Sequence, residues 1–149
     1  MKTAIIYHSE HHGNTKKLLD AIAKNGEVTL MKASECASAD LSGFDLIGFA
    51  SGIYYQKFHE SVLAAAEKYL PPNKKVFFIH TCGIMRSSYT DAVSKIAESK
   101  GAEILGSYAC PGYDTFGPFK LVGGIAKGRP NGEDIEKAVQ FFNNTQTAV

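Results

Sequence analysis

The feature that most constrains this chain is an alternation: short apolar runs rich in branched and aromatic residues give way repeatedly to longer amphipathic stretches. TAIIYH (Thr3–His8) is a continuous run of the kind that a strand buried on both faces requires. NTKKLLDAIAKNG follows it, with Leu18, Leu19, Ile22 and Ala23 at helical spacing and Gly26 as the expected stop. EVTLMKA is a weaker strand and FDLIGFA (Phe44–Ala50) a stronger one. HESVLAAAEKYL (His59–Leu70) reads as a helix closed by Pro71 and Pro72, which cannot continue it. KKVFFIHT is then a central strand, SSYTDAVSKIAESKGA a helix with a serine or threonine cap and a stop at Gly101, and EILGSYAC a fifth strand. The last helix begins in NGEDIEKAVQFF. There Asn131 is the N-cap, and Glu133 and Asp134 favour the positive end of the helix dipole.

Five strands joined by helical crossovers predict an α/β fold, a three-layer, doubly wound, five-stranded parallel sheet covered on both faces. The 149 residues are expected to form a single domain, 1–149, because they suffice for one core and contain no repeat, low-complexity tract or linker. The stretch from Cys110 to Asn131 is long for a connection in a compact domain, so it is either functional or holds a short helix near Lys120 to Lys127.

Open parallel sheets bind ligands at the carboxyl ends of their strands, where the strand order reverses. Three loops fall there. SEHHGNT leaves the first strand and enters the first helix, so backbone N–H groups and the helix dipole converge on whatever it encloses. Gly13 allows close backbone approach, Ser9, Asn14 and Thr15 can donate hydrogen bonds, and His11 or His12 can donate or pair with a phosphate dianion. The spacing is neither GxGxxG nor GxxxxGK[ST], which points to a monophosphate rather than a dinucleotide or a triphosphate. The alternative is a tight turn with Asn14 or Thr15 as helix cap. After the third and fourth strands, ASGIYYQKF and HTCGIMRSSY each place a small polar residue and a glycine where backbone could approach a planar ring. Tyr54 and Tyr55 would lie against that ring, or else pack on the rim of the core.

These residues resemble the flavodoxin-like FMN-binding family over nearly the whole chain. The resemblance implies the strand order 2-1-3-4-5 and a first loop of the form T/S-x-T-G-x-T that holds the FMN phosphate. Glu10, His11, His12, Gly13, Asn14 and Thr15 stand in that register. The closing Gly-Asn-Thr matches, Glu10 and His12 depart from the usual Ser or Thr, and Ser9 would supply the missing hydroxyl. The second and third FMN loops correspond to Ser51, Gly52, Ile53, Tyr54 and Tyr55, and to Thr81, Cys82, Gly83 and Ile84. In this family a second-loop peptide turns its carbonyl toward the flavin, and Gly52 is the candidate. With no Trp in the chain, Tyr54 or Tyr55 would replace the tryptophan that many members stack on the flavin.

The resemblance implies an electron-transfer protein with protein redox partners. It extends to FMN-dependent oxidoreductases acting on a small acceptor, of the quinone reductase or protoporphyrinogen oxidase type, the latter sharing the texture of SGIYYQKFHESV. Typical carriers are strongly acidic. Here 16 Lys and Arg balance 15 Asp and Glu, so no nucleic-acid field is expected. Lys57, His59 and Arg86 near the second and third loops lead to an expected reduced-flavin couple less negative than an acidic carrier's. No catalytic side chain beyond the cofactor is expected. The histidines lack carboxylates or thiols at ligand spacing, so no metal is expected either, and His80 reads as a satisfied histidine at the sheet edge. Cys36, Cys82 and Cys110 form no CxxC pair and read as small apolar residues. MKTAIIYHSE is too weakly apolar for a signal peptide and no stretch approaches a membrane span, so the expected location is the cytoplasm, without membrane insertion. Tyr113 and Phe116 in the long loop would cover the flavin, form a docking surface, or pack an Ω-like loop.

Overall fold

The computed structural model describes residues 1–114 and 121–149. Its elements run β1 (Lys2–His8), α1 (Asn14–Ala23), β2 (Glu27–Lys32), β3 (Leu46–Tyr54), β4 (Lys57–Phe58), α2 (Glu60–Tyr69), β5 (Lys75–Cys82), α3 (Asp91–Ser99), β6 (Glu103–Pro111) and α4 (Gly132–Thr147). Five strands lie parallel in the order β2-β1-β3-β5-β6, and β4 pairs antiparallel with β3. Counting only the parallel strands, this is the expected order 2-1-3-4-5. The two-residue β4 is an addition that the sequence pattern did not announce.

Both faces of the sheet are buried, which is why the strands read as continuous apolar runs. Ala4, Ile6, Ile47, Phe49, Val76 and Phe78 pack with Val62 and Ala66 of α2 and Val93 and Ala97 of α3. Ile5, Tyr7, Phe77 and Ile79 alternate with them and pack with Leu18 and Ile22 of α1 and Ala138 and Phe142 of α4. That alternation places His80 on the α2/α3 face and Thr81 on the α1/α4 face.

The helix ends differ from expectation in two places. Helix α1 stops at Ala23, with Lys24 closing it in a right-handed conformation, so Gly26 is not the stop. Helix α3 is preceded by a 3-10 turn, Ser87–Thr90, and no serine or threonine side chain caps either segment. Two expectations hold. Gly101 ends α3 at φ +69, and Asn131 caps α4 by accepting from the Asp134 N–H at 2.9 Å while Asp134 accepts from the Asn131 N–H at 2.8 Å. Arg129 donates to the same Asp134 carboxylate and holds its pKa below the usual range.

Of the helix expected near Lys120 to Lys127, Lys120 lies outside the described residues. Residues 121 and 122 are 3-10 helical, and beyond them the backbone folds back: Asp114 N–H donates to Ile125 O at 3.0 Å and Ile125 N–H to Asp114 O at 2.8 Å.

Candidate functional site

The strand order reverses between β1 and β3, and the carboxyl ends of the parallel strands open there into a cleft. Its lining comes from the three loops named from sequence and from a fourth segment. Ser9, Glu10, Asn14 and Thr15 supply the first side, Gly52, Ile53 and Tyr54 the second, Thr81, Cys82 and Gly83 the third, and Gly112, Tyr113 and Asp114 the fourth.

The first loop winds through a 3-10 turn, His11–Gly13, in which His12 (φ 56) and Gly13 (φ 65) are successive left-handed residues before α1 starts. Gly13 is the N-cap and no side chain caps the helix, so neither Asn14 nor Thr15 has the cap role. A Cβ on Gly13 would meet nothing within 4 Å, so its left-handed φ, not crowding from the protein, calls for glycine. Ser9 Oγ accepts from the Lys16 N–H at 3.2 Å and ties the loop to the helix. Asn14 is buried, its Nδ2 donating to Tyr113 O at 2.8 Å, while its Oδ1 is buried without a hydrogen-bond partner among the described residues. Thr15 Oγ1 lies 2.8 Å from Thr81 Oγ1, a buried link between the first and third loops.

The second loop is a two-residue hairpin. Ile53 pairs with Phe58 and Tyr54 with Lys57, leaving Tyr55 (φ 50) and Gln56 (φ 66) as the two left-handed residues of a type I′ turn. Gly52, the candidate for the movable peptide, lies in the β3–β5 ladder opposite Thr81, and its carbonyl accepts from the Ser51 hydroxyl. Ser51 Oγ also accepts from the His59 N–H at 3.0 Å. The two tyrosines diverge. Tyr54 turns inward, edge-on to the His8 and His59 rings at centroid distances of 5.5 and 4.9 Å, and those two rings stack at 3.6 Å. Burial first, then the Glu10 charge, pushes the Tyr54 hydroxyl up to about 12. Tyr55 is 87% exposed. His8 Nε2 is 3.2 Å from Glu10 Oε1, which joins the second loop's aromatic stack to the first loop.

In the third loop, Cys82 Sγ donates to Met85 Sδ at 3.3 Å and Tyr89 OH to Ile84 O at 2.9 Å. Burial, then the charge of Asp114, raises the Cys82 thiol to about 11. Burial likewise raises Cys36 and lifts Cys110 to about 12, so all three thiols stay protonated, as small apolar residues would. Gly83 faces the fourth segment so closely that a Cβ there would lie 2.7 Å from both Asp114 Oδ2 and Ile125 Cδ1.

Sequence reasoning left Gly112 and Asp114 out of the site and gave Tyr113 three possible roles. Tyr113 folds back on the first loop: its ring lies 4.3 Å from the His12 ring, its N–H donates to Arg129 O at 2.9 Å and its hydroxyl to Gly123 O at 2.9 Å. Phe116 lies outside the described residues. The one sequence signal for this segment was the unusual length of the loop. His80 is a second correction. It is buried, but neither ring nitrogen has a hydrogen-bond partner among the described residues, so it is not satisfied there at the sheet edge.

The cleft has a volume of about 30 Å³, with Tyr54 and Tyr113 among its lining residues. It continues through Ile53, Cys82, Gly83 and Asp114 into an open groove of about 270 Å³ between the second and third loops, flanked by Tyr55, Ile84 and Arg86.

A helix N-terminus facing a cleft at the switch point of a doubly wound sheet defines a class, and comparison gives it a family. The flavodoxin domain model matches residues 4–103, and the chain belongs to that family. An uncharacterized protein of Methanocaldococcus jannaschii is 40% identical over 143 residues, 95% of each chain. Among solved structures, oxidised flavodoxin 1 of Bacillus cereus superposes with a TM-score of 0.73 at 16% identity, covering 100% of this chain and 99% of that one. A Fusobacterium nucleatum flavodoxin mutant bound to flavin mononucleotide gives 0.69 at 14% identity, covering 99% and 97%. The rubredoxin oxygen:oxidoreductase of Desulfovibrio gigas gives 0.71 at 16% identity, with 99% of this chain matching 35% of that one. At these identities the structural likenesses show the fold alone. Among the described residues, no helix is long and apolar enough to cross a membrane.

Proposed function

We propose that this protein binds FMN noncovalently in the cleft and carries electrons between redox partner proteins. The observation that carries the reading is Asn14 Oδ1: a buried acceptor without a partner among the described residues, in a cavity at the N-terminus of α1. A phosphate suits the first-turn N–H groups and the hydroxyls of Ser9 and Thr15, and a hydroxylated chain following it supplies the donor that Asn14 lacks. The donor set fits the cofactor, but a cavity of about 30 Å³ does not hold it, so binding requires Tyr113 and the second loop to move outward.

When bound, FMN supplies the one- and two-electron chemistry. The chain's own residues do the rest. The first loop and α1 hold the phosphate, with His12 in the left-handed turn before the helix and Glu10 tied back to His8. Gly52 through Tyr55 and Thr81 through Ile84 bound the ring's groove, with Ser51 buried behind them, where Tyr54 and Tyr55 provide aromatic faces and Cys82, fully protonated, is a small apolar wall. Asp114 brings a carboxylate against the third loop opposite Arg86, so the positive surroundings expected from Lys57, His59 and Arg86 are partly offset. A second reading, an FMN-dependent oxidoreductase for a small acceptor, is favoured by the open groove beside Tyr55 and Ile84. A cytoplasmic location, supported by the three unlinked cysteines, belongs to the same proposal.

The test is absorption of the purified protein on adding FMN, followed through stepwise anaerobic reduction. A perturbed flavin band that reduces in two separate electron steps supports the carrier, and reduction in one two-electron step supports the oxidoreductase. Thr15→Ala should weaken binding by about 1–3 kcal/mol through loss of a phosphate hydrogen bond. No flavin uptake refutes both readings.

A further inference from the structure

The third loop bounds a second concavity, on the opposite face of β5 from Thr15 and Thr81. It is an open groove of about 490 Å³ lined by His80, Arg86, Ser87, Thr90, Ser107 and Tyr108, among others, and no carboxylate is among its lining residues. His80 is among its lining residues, with both ring nitrogens buried. The ring is 4% exposed, edge-on to Tyr89 at 5.9 Å and tilted against Phe58 at 5.7 Å. Neither nitrogen has a hydrogen-bond partner among the described residues. A neutral imidazole always carries one N–H, so this ring keeps a donor with nothing to donate to, an arrangement that native interiors rarely leave standing.

The wall opposite carries one cation, Arg86, which also lines the adjoining groove with Asp114, where its charge is partly offset. Arg86 is exposed and makes no ion pair among the described residues. Immediately after it the chain turns helical, Ser87–Thr90 running on into α3, and neither Arg86 nor Thr90 caps that start with a side chain. The opening N–H groups of such a stretch lack intrahelical partners and carry the positive end of its dipole. The hydroxyls of Ser87 and Ser107 add donors around them, while that of Thr90 donates to Ser87 O at 3.5 Å.

We propose that this groove is an anion-binding subsite that takes the carboxylate or phosphoryl group of a small molecule. Arg86 supplies the countercharge, the helical start and hydroxyls supply donors from the side, and the His80 N–H adds a further donor. Arg86 also lines the groove between the second and third loops, so the bound molecule sits beside the cleft. That position suits a small anionic electron acceptor, an assignment that rests on the flavin reading, whereas the anion binding does not.

The experiment is a chemical-shift titration of ¹⁵N-labelled protein with acetate and, separately, with inorganic phosphate, in the wild type and Arg86→Gln. The signals read are the amides of Ser87 to Thr90 and the His80 ring nitrogens. Saturable shifts at both, with affinity on the order of tenfold weaker in Arg86→Gln, support the subsite. The better-bound probe then tells carboxylate from phosphoryl. Shifts confined to Gly13–Thr15, shifts that do not saturate, or equal affinity in the variant overturn it. FMN added in a parallel titration reports at Gly13–Thr15, so a failed flavin reading and a failed subsite are told apart.

Discussion

Replacing His80 with leucine should change how stability depends on pH more than it changes stability at neutral pH. Burial lowers the pKa of the folded-state ring from 6.5 to about 4, while the ring in the unfolded chain titrates near its ordinary value. Above the unfolded value both states are neutral and the protein keeps its full stability. As pH falls from 6.5 toward about 4, the unfolded chain takes up a proton that the folded chain refuses, and stability drops. Below about 4 both states are protonated and this loss stops. The shift corresponds to about 3 kcal/mol in full, of which about 2 kcal/mol is lost by pH 5. Urea unfolding of wild type and His80→Leu at pH 7.5 and pH 5, in a chloride buffer free of carboxylate and phosphate, isolates the contribution, because every other titration is common to both proteins. The wild type should lose about 2 kcal/mol more than the variant. At pH 7.5 the variant should be as stable or more stable, since leucine replaces two unpaired buried nitrogens with apolar surface among Phe58 and Tyr89. Parallel pH dependences would refute the argument and place a proton acceptor or donor on His80.

Gly83→Ala should destabilise the protein by about 1–3 kcal/mol in urea unfolding, because the new Cβ meets Asp114 and Ile125 and drives the fourth segment off the third loop. Asn131→Ala should cost about 1 kcal/mol by the same measurement, since the Asp134 N–H loses its acceptor. Part of that loss should persist at low pH, because the N–H bond does not depend on the Asp134 charge.

What the sequence made legible follows from how local each determinant is. The parallel sheet was readable because strands buried on both faces must be continuously apolar, and β1, β3 and β5 are. The capping box of α4 was readable because its parts lie three residues apart. The first loop's position was readable too, but not the division of labour within it: Gly13 rather than Asn14 or Thr15 occupies the cap, and Asn14 bonds to a residue 99 positions away. Asp114 and Tyr113 reach the cleft through backbone pairing with Ile125 and Arg129, contacts that no periodicity encodes. His80 shows the same limit. Alternation along KKVFFIHT gives the face it points to, but not whether a partner waits there.

The hairpin at Tyr55–Gln56 escaped notice for a different reason, and it carries a last prediction. Type I′ turns draw on Asn and Gly because both central residues sit at positive φ, and here a tyrosine and a glutamine occupy them at 50° and 66°. A side chain in the left-handed region costs on the order of 1 kcal/mol, so this turn stores strain at the edge of the cleft. Nearby contacts sustain it: Phe58, fully buried, anchors β4, and Ser51 ties the His59 backbone to β3. Gln56→Gly should therefore stabilise the protein by up to about 1 kcal/mol, less the entropy that glycine adds to the unfolded chain. If the strain is there to be released when the second loop moves outward, the same substitution should weaken FMN binding by removing part of the drive to open. Tighter binding in the stabilised variant would mean instead that the hairpin is already in its binding geometry and that Tyr113 alone must move.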